Sequence, residues 1–262
     1  YKPNGDAVTY GGGGSFDYVA SIDAHDVEMI TLADYTLVLN KAVQPKMKAT
    51  TTTTRNPEAL VFVKAGNYST KYTVTYKDGA LTGSVTYETK NASQAANADD
   101  IQTDHIAAAL QHGMAQSGTL DTTTYPGLTR SGTWPLSGGS FYLPILEGSC
   151  IWVSKSPAAP TAFEMKADDS VASTNLSVLQ NEVQSFTSLP TVAPNGFVVK
   201  IDGLPEQEGI GFSGYHVAFR TTSDTTPGIP GTAAFEDGVW EETVAPGIEY
   251  QIDPATMPHA LR

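Results

Sequence analysis

Tyr72-Thr73-Val74-Thr75-Tyr76-Lys77-Asp78-Gly79 is the stretch that decides the fold. Tyr72, Val74 and Tyr76 alternate with Thr73 and Thr75, which builds a strand with one large apolar face and one hydroxyl face. Lys77-Asp78-Gly79 supplies turn chemistry, since glycine tolerates positive φ without steric penalty, and Val85 and Tyr87 resume the alternation. An antiparallel hairpin is predicted. Upstream, Leu60-Val61-Phe62-Val63 is a short β-branched and aromatic run closed by the turn residues Ala65-Gly66-Asn67. Downstream of a polar link from Lys90 to Ala98, Ile106, Leu110 and Met114 recur at helical spacing, and Ala107 and Ala108 permit close approach. Asp99, Asp100 or Thr103 is placed to cap the open N–H groups, and Gly118 to end the element. One amphipathic helix is therefore predicted over about 99–117, packed on the large-residue face of the hairpin.

Outward from this centre, short strand-like runs separated by turn residues dominate a chain of 262 residues that is 40% hydrophobic, with 24 Gly and 16 Pro. The predicted class is mainly β (α+β): antiparallel sheets in one or more domains, one helix and long loops. Met29–Leu32 and Tyr35–Leu39 read as strands around a turn at Asp34, and Lys46 to Arg55 as an exposed threonine-rich loop that carries the one locally basic patch. Phe141–Leu146 and Cys150–Val153 flank Glu147-Gly148, with Pro144 demoting the first to an edge. Phe163–Lys166, Phe197–Ile201, Tyr215–Phe219 and Val239–Glu242 read as further strands, whereas Leu176–Leu179 and Val183–Phe186 are ambiguous between strand and short helix. This divides the chain into an N-terminal arm (1–27), a hairpin-plus-helix unit (28–118), a loop or linker (119–140) and an acidic β-rich region (141–262), which can also close into one composite domain.

The formal net charge is −13, unevenly spread. Residues 1–130 carry 13 acidic and 10 basic side chains, and residues 131–262 carry 15 and 5. From Asp202 to Asp253, ten acidic residues accompany one base, Arg220. Such a surface repels phosphate backbones, so tight nucleic-acid binding is excluded. Cys150, the single cysteine, lies in an apolar run and reads as a buried structural thiol, so no disulfide framework exists. No signal peptide is read, and no apolar run approaches the ~20 residues a bilayer requires. A chain that begins at Tyr1 without Met and stops at Arg262 reads as a fragment.

Motifs that carry chemistry are weak throughout. Gly11 to Gly14 are not followed by the Lys-Ser/Thr of a phosphate loop. Asp23, His25 and Asp26 have metal-ligand chemistry but no second cluster, and Asp168-Asp169-Ser170 lacks the alternating ligands of a calcium loop. His105 and His112 stand ~10 Å apart along the helix at 1.5 Å rise per residue, too far to share a metal. Glu241 and Glu242 point to opposite faces of a strand and make a poor pair for glycan hydrolysis. No catalytic residue, metal set or cofactor site is assigned.

Thr31-Leu32-Ala33-Asp34-Tyr35-Thr36, then Phe62-Val63-Lys64-Ala65-Gly66-Asn67-Tyr68-Ser69 with Tyr72, resemble the tail tubular protein B family, the nozzle proteins of short-tailed bacteriophages. The resemblance continues through Thr103 to Leu110, Ala193 to Ile201 (Ala-Pro-Asn-Gly-Phe-Val-Val-Lys-Ile) and Gly238-Val239-Trp240-Glu241-Glu242. It closes with Ile252-Asp253 and Ala255 to Leu261 (Ala-Thr-Met-Pro-His-Ala-Leu), and it is weakest over residues 1–20 and 119–150. It implies a structural virion protein of the phage tail: a sixfold homo-oligomeric ring below a tail adaptor ring protein, with tail fibre proteins as neighbours, conducting double-stranded DNA into the host. Within that role, Glu206, Glu208, Asp224, Glu236 and Asp237 are the candidate channel-lining residues, because they sit in loop-like parts of the acidic segment. The competing classes are a tail-associated glycan hydrolase and a host-receptor module using the aromatic loop from Tyr125 to Trp134.

Overall fold

A computed structural model describes residues 17–20, 22–52, 54–136, 139–172, 174–202, 214–221 and 236–261. In chain order the strands are β1 (Val27–Leu32), β2 (Tyr35–Asn40), β3 (Glu58–Val63), β4 (Lys71–Asp78) and β5 (Leu81–Glu88), followed by the helix α1 (Thr103–Ala115). Then come β6 (Leu128–Gly132), β7 (Ile145–Glu147), β8 (Cys150–Ser154), β9 (Glu164–Asp168), β10 (Leu176–Leu179) and β11 (Glu182–Val183). The last five are β12 (Val192–Ala193), β13 (Val198–Ile201), β14 (Tyr215–Thr221), β15 (Glu236–Thr243) and β16 (His259–Leu261). The architecture is mainly β with antiparallel sheets, as the alternation predicted. The chain forms two compact units, one from residues 1–53 together with 246–262 and the other from 54–245, so the second is inserted into the first.

Within residues 54–245 the hairpin β4–β5 pairs Tyr72 with Tyr87 and Val74 with Val85, in a sheet ordered β6-β5-β4-β9. All four of those side chains are buried, and Ile106, Ala107, Leu110 and Met114 of α1 share their core. The helix also touches β3, β7 and β8 of a second sheet, ordered β10-β3-β8-β7. That second sheet is buried on both faces, which is why Leu60-Val61-Phe62-Val63 lacks alternation. Ala59, Val61, Val63, Ile151 and Val153 belong to the helix-containing core. Leu60, Cys150 and Trp152 join Phe197, Val199, Ile201, Val217 and Phe219 in another core, shared with the sheet β11-β13-β14-β15-β12.

Several local expectations change in three dimensions. The helix starts at Thr103 rather than near 99, because residues Ala95–Ile101 form a 3-10 turn and Asp100 is drawn into buried hydrogen bonds instead of capping. It ends at Ala115, where the Arg130 guanidinium donates to the carbonyls of Gly113, Gln116 and Gly118, a cation at the negative end of the helix dipole. Leu176–Leu179 is a strand antiparallel to β3, while the ambiguous region near 183–186 divides into β11 and a 3-10 turn at Phe186–Ser188. β7 is an edge strand that begins just after Pro144. The 119–140 stretch contributes β6, which pairs with β5. Arg55 is not on an exposed basic loop. Its guanidinium is paired through two nitrogens with Glu58, whose carboxylate also accepts from Trp152 Nε1 at 2.9 Å.

In the other unit, β1 and β2 form the predicted hairpin around Ala33 and Asp34, and β16 adds to β2. Residues 46–52 and 247–253 run beside each other, with Lys48 N–H donating to the Gln251 carbonyl and Thr52 N–H to that of Ile248. Lys46 to Thr52 is thus an exposed loop, as expected, but one held to residues 247–253 by the isolated bridges Met47–Ile252 and Thr51–Glu249.

Two outcomes follow. Residues 54–245 hold two buried cores and their own sheets, so that segment expressed alone is expected to unfold in one cooperative transition by circular dichroism. A Cβ at Gly113 would sit 2.5 Å from Val85 Cγ1, so Gly113→Val overpacks the helix–sheet contact. It is expected to destabilise that segment by about 2 kcal/mol, lowering Tm by roughly 4–8 °C in a thermal melt.

Candidate functional site

The acidic segment comes first, because the residues singled out for a channel wall lie there. Glu206, Glu208 and Asp224 fall outside the described residues. Glu236 and Asp237 are not in a loop: they open β15, opposite Ala193 and Val192. The sequence missed this because Ala193-Val192 supplies the pairing from over forty residues away. On the same sheet, Glu241 and Glu242 are adjacent and exposed, opposite Ala218 and Val217 of β14. The described bases of this sheet are engaged by carboxylates. Lys200 Nζ lies 2.6 Å from Asp202 and 3.9 Å from Glu182, and the hydrogen bond to Asp202 raises its pKa. Arg220 lies 3.9 Å from Glu241. With its cations so occupied, the sheet presents phosphates with net negative charge, felt over ~8 Å at physiological salt.

The one dense cluster of titratable groups lies at the start of α1. Asp100 is 3% exposed and accepts from the Tyr87 hydroxyl and from the Lys90 amide, each at 2.6 Å. Lys90 Nζ stands 3.4 Å from the same carboxylate. Burial opposes ionisation of Asp100, but the Tyr87 and Lys90 hydrogen bonds and the Lys90 charge outweigh it and hold the carboxyl below its ordinary pKa. Burial and the Asp100 carboxylate push Tyr87 well above the usual phenol range. With the Tyr87 proton committed to Asp100, His105 Nε2 at 3.1 Å is the donor to the phenol oxygen. Every group in this cluster is turned on another, which is the pattern of a structural bracket between β5 and α1.

The two helix histidines are separated by an aromatic ring. Tyr125 lies 5.4 Å from His105 and 5.6 Å from His112, ring to ring, and it packs against the helix-containing core. Trp134, at the far end of the same loop, packs on Tyr76 at 5.0 Å and donates Nε1–H to the Ser131 carbonyl. The aromatics nominated for receptor contact are therefore turned inward. Among the described residues no group of three or more His, Cys, Asp or Glu could hold a metal ion. His25 and Asp23 approach to 3.8 Å on the surface, and Asp23 instead caps a 3-10 turn at Ala24–Asp26. Asp169, read as turn chemistry, is fully buried and accepts from the amides of Val171, Ala172 and Asn175. Burial pushes the Cys150 thiol up to about 12, with Glu147 adding to the shift, so it is not a nucleophile near neutrality.

The hydroxyl face predicted for the hairpin is real and solvent-facing. Thr73 and Thr86 hydroxyls meet at 2.9 Å, and beside them lies an open cavity of about 500 Å³ lined by Thr75, Thr82, Ser84, Ser131, Lys77, Glu164 and Lys166. Glu164 is the only carboxylate in that lining, 2.7 Å from Lys166, whose hydrogen bond and charge keep it ionised to lower pH than usual. Glycan hydrolysis by two carboxylates has no second partner there.

Asp100→Ala strips the acceptor from a buried phenol and a partly buried amide and is expected to destabilise by about 1–3 kcal/mol in urea unfolding. Because the folded pKa of Asp100 lies below the unfolded value, its contribution is present above about pH 4 and is lost as pH falls through the folded value. Stability measured against pH should therefore fall less steeply below pH ~4 in Asp100→Ala than in the parent chain.

With these surfaces in place, similarity to known proteins supplies what the local chemistry does not. The sequence profile described as bacteriophage nozzle protein matches residues 1–262. The tail tubular protein gp12 of Escherichia phage T7 is 25% identical over 260 residues, covering 97% of this chain and 27% of the relative. The chain thus spans about a quarter of the length of that curated relative. Matched from its first residue to its last, this chain belongs to the bacteriophage nozzle protein family, the structural proteins of phage tails.

Proposed function

We propose that this chain is part of a subunit of the tail nozzle, a ring, sixfold in the full-length protein, that continues the tail tube and conducts double-stranded DNA into the host. The family match over the whole chain carries this reading. The similarity to a T7 tail tubular protein and the acidic surface with its few, paired bases agree with it. A tail adaptor ring protein and tail fibre proteins are the neighbours such a ring would meet, and DNA passes without being bound. Cyclic closure leaves no open subunit contacts, which suits a sealed conduit.

In this proposal the lumenal charge is drawn from Glu206, Glu208, Asp224, Glu236 and Asp237, only one of the adjacent strand residues Glu236 and Asp237 pointing inward, and repulsion of phosphates within ~8 Å keeps the genome moving. Replacing all five with Lys in the phage should slow genome ejection and introduce salt-sensitive retention of DNA, each added phosphate contact raising affinity. Ejection at the normal rate with folding intact would count against a lumenal position. Electron microscopy of the full-length protein should show rings with a central channel.

The role is structural and not catalytic. Incubated with host polysaccharide, the chain is expected to release no reducing sugar above background. Turnover abolished by a single Asp→Ala or Glu→Ala change would favour the hydrolase reading instead.

A further inference from the structure

The described residues of the unit formed by residues 1–53 and 246–262 bury few apolar side chains. Among its described residues only Tyr18 and Val38 are buried apolar side chains. Register places Ile30 opposite Leu37, Leu32 opposite Tyr35 and Glu28 opposite Leu39, so five large apolar side chains share one face of the sheet β1-β2-β16. Those five are 57%, 37%, 60%, 44% and 39% exposed, in the order Ile30, Leu37, Leu32, Tyr35, Leu39. The opposite face is covered only toward Asn40, while Met29 on it is 65% exposed. There the Tyr18 hydroxyl accepts from the Asn40 amide at 2.9 Å, and the Tyr18 ring lies 5.0 Å from that of His259, the register partner of Val38.

Two more features are open. β1 is an edge of this sheet, paired on one side only among the described residues. On the neighbouring segment of residues 247–253 Ile248, Tyr250 and Ile252 alternate at 43%, 44% and 51% exposure. A sheet with an open apolar face and, among the described residues, an edge strand paired on one side only lacks the second layer that a β structure needs. Charge on this face is confined to one end, where Glu28 pairs with Lys41 at 3.3 Å, and the five apolar side chains are otherwise contiguous.

We propose that this face and the β1 edge are covered by a further apolar β-layer of the same polypeptide, supplied by sequence outside this stretch in the full-length nozzle protein. The chain spans 27% of the phage T7 relative, so a full-length family member has ample sequence for such a layer. Timing favours the same polypeptide over a neighbouring subunit. A subunit has to stay soluble before a ring forms, and an open apolar face with a free strand edge drives aggregation at that stage. Residues 54–245 are then an insertion carried by a larger β-domain, and the bridged segments 46–52 and 247–253 are the two-stranded stem through which the chain leaves and returns.

The test reads solvent access to the face and does not depend on ring formation or DNA passage. Leu32→Cys is introduced into the 262-residue chain and into the full-length protein cleared of other reactive thiols, Cys150 being buried. Each is labelled with a water-soluble maleimide, the full-length protein both as dissociated subunits and as assembled rings. Fast labelling in the 262-residue chain and at least 100-fold slower labelling in dissociated full-length subunits is the expected result. Equal labelling of the short chain and the dissociated subunit overturns the proposal, including the case in which only ring assembly protects Leu32→Cys, since a second copy is then the cover. Protection already present in the 262-residue chain overturns it too. Hydrogen exchange of residues 27–32 in the unmodified proteins should show the same order of protection, which keeps the test independent of the substitution.

Discussion

Burial of one sheet on both faces is the constraint on which the inserted unit depends. β3 and β8 send Val61, Val63, Ile151 and Val153 into the core that contains the helix, and Leu60, Cys150 and Trp152 into the core that contains β13 and β14. A sheet in that position cannot place polar side chains on alternate residues. Charged groups at its margin are tied down individually: Glu58 by Arg55 and Trp152, and Lys155, just past β8, by Asp78 at 2.5 Å beneath the Phe141 ring. Fixing the central sheet fixes both neighbouring layers, because each uses one of its faces as a floor.

Polar chemistry in this unit is spent on holding elements in place. Asp100 fastens the strand β5 to the turn that precedes α1, Asp169 organises the loop between β9 and β10, and Arg130 closes the carbonyl end of α1. Each is an acid or base of the kind a site would use. In space its hydrogen-bonding capacity is consumed by backbone and by neighbouring side chains, which leaves nothing directed at a ligand.

The two units differ in how their apolar residues are placed. The inserted unit buries two cores and leaves scattered residues such as Leu81, Leu143 and Val239 exposed, whereas the described residues of the unit of residues 1–53 and 246–262 display theirs together on a sheet face. The T7 tail tubular protein to which this chain is similar is far longer, the chain covering 27% of it.

What the sequence determined by itself is the local part of the fold. Period-two alternation at Tyr72–Tyr76 and Val85–Tyr87 is enough to specify the hairpin and its face, and the spacing of Ile106, Leu110 and Met114 is enough for the helix, because each signal repeats within one element. The family, too, was legible from short strings in a constant order. Tertiary structure decided everything that rests on partners distant in the chain. Asp100 reads as a helix cap until Tyr87 and the Lys90 amide claim it, Arg55 reads as an exposed base until Glu58 and Trp152 enclose it, and Glu236 and Asp237 read as loop until Val192 and Ala193 pair with them. The discontinuous unit was invisible for the same reason. Strands at 27–40 and 259–261 have no local pattern that announces a shared sheet, and only the backbone hydrogen bonds across the insertion bring them together.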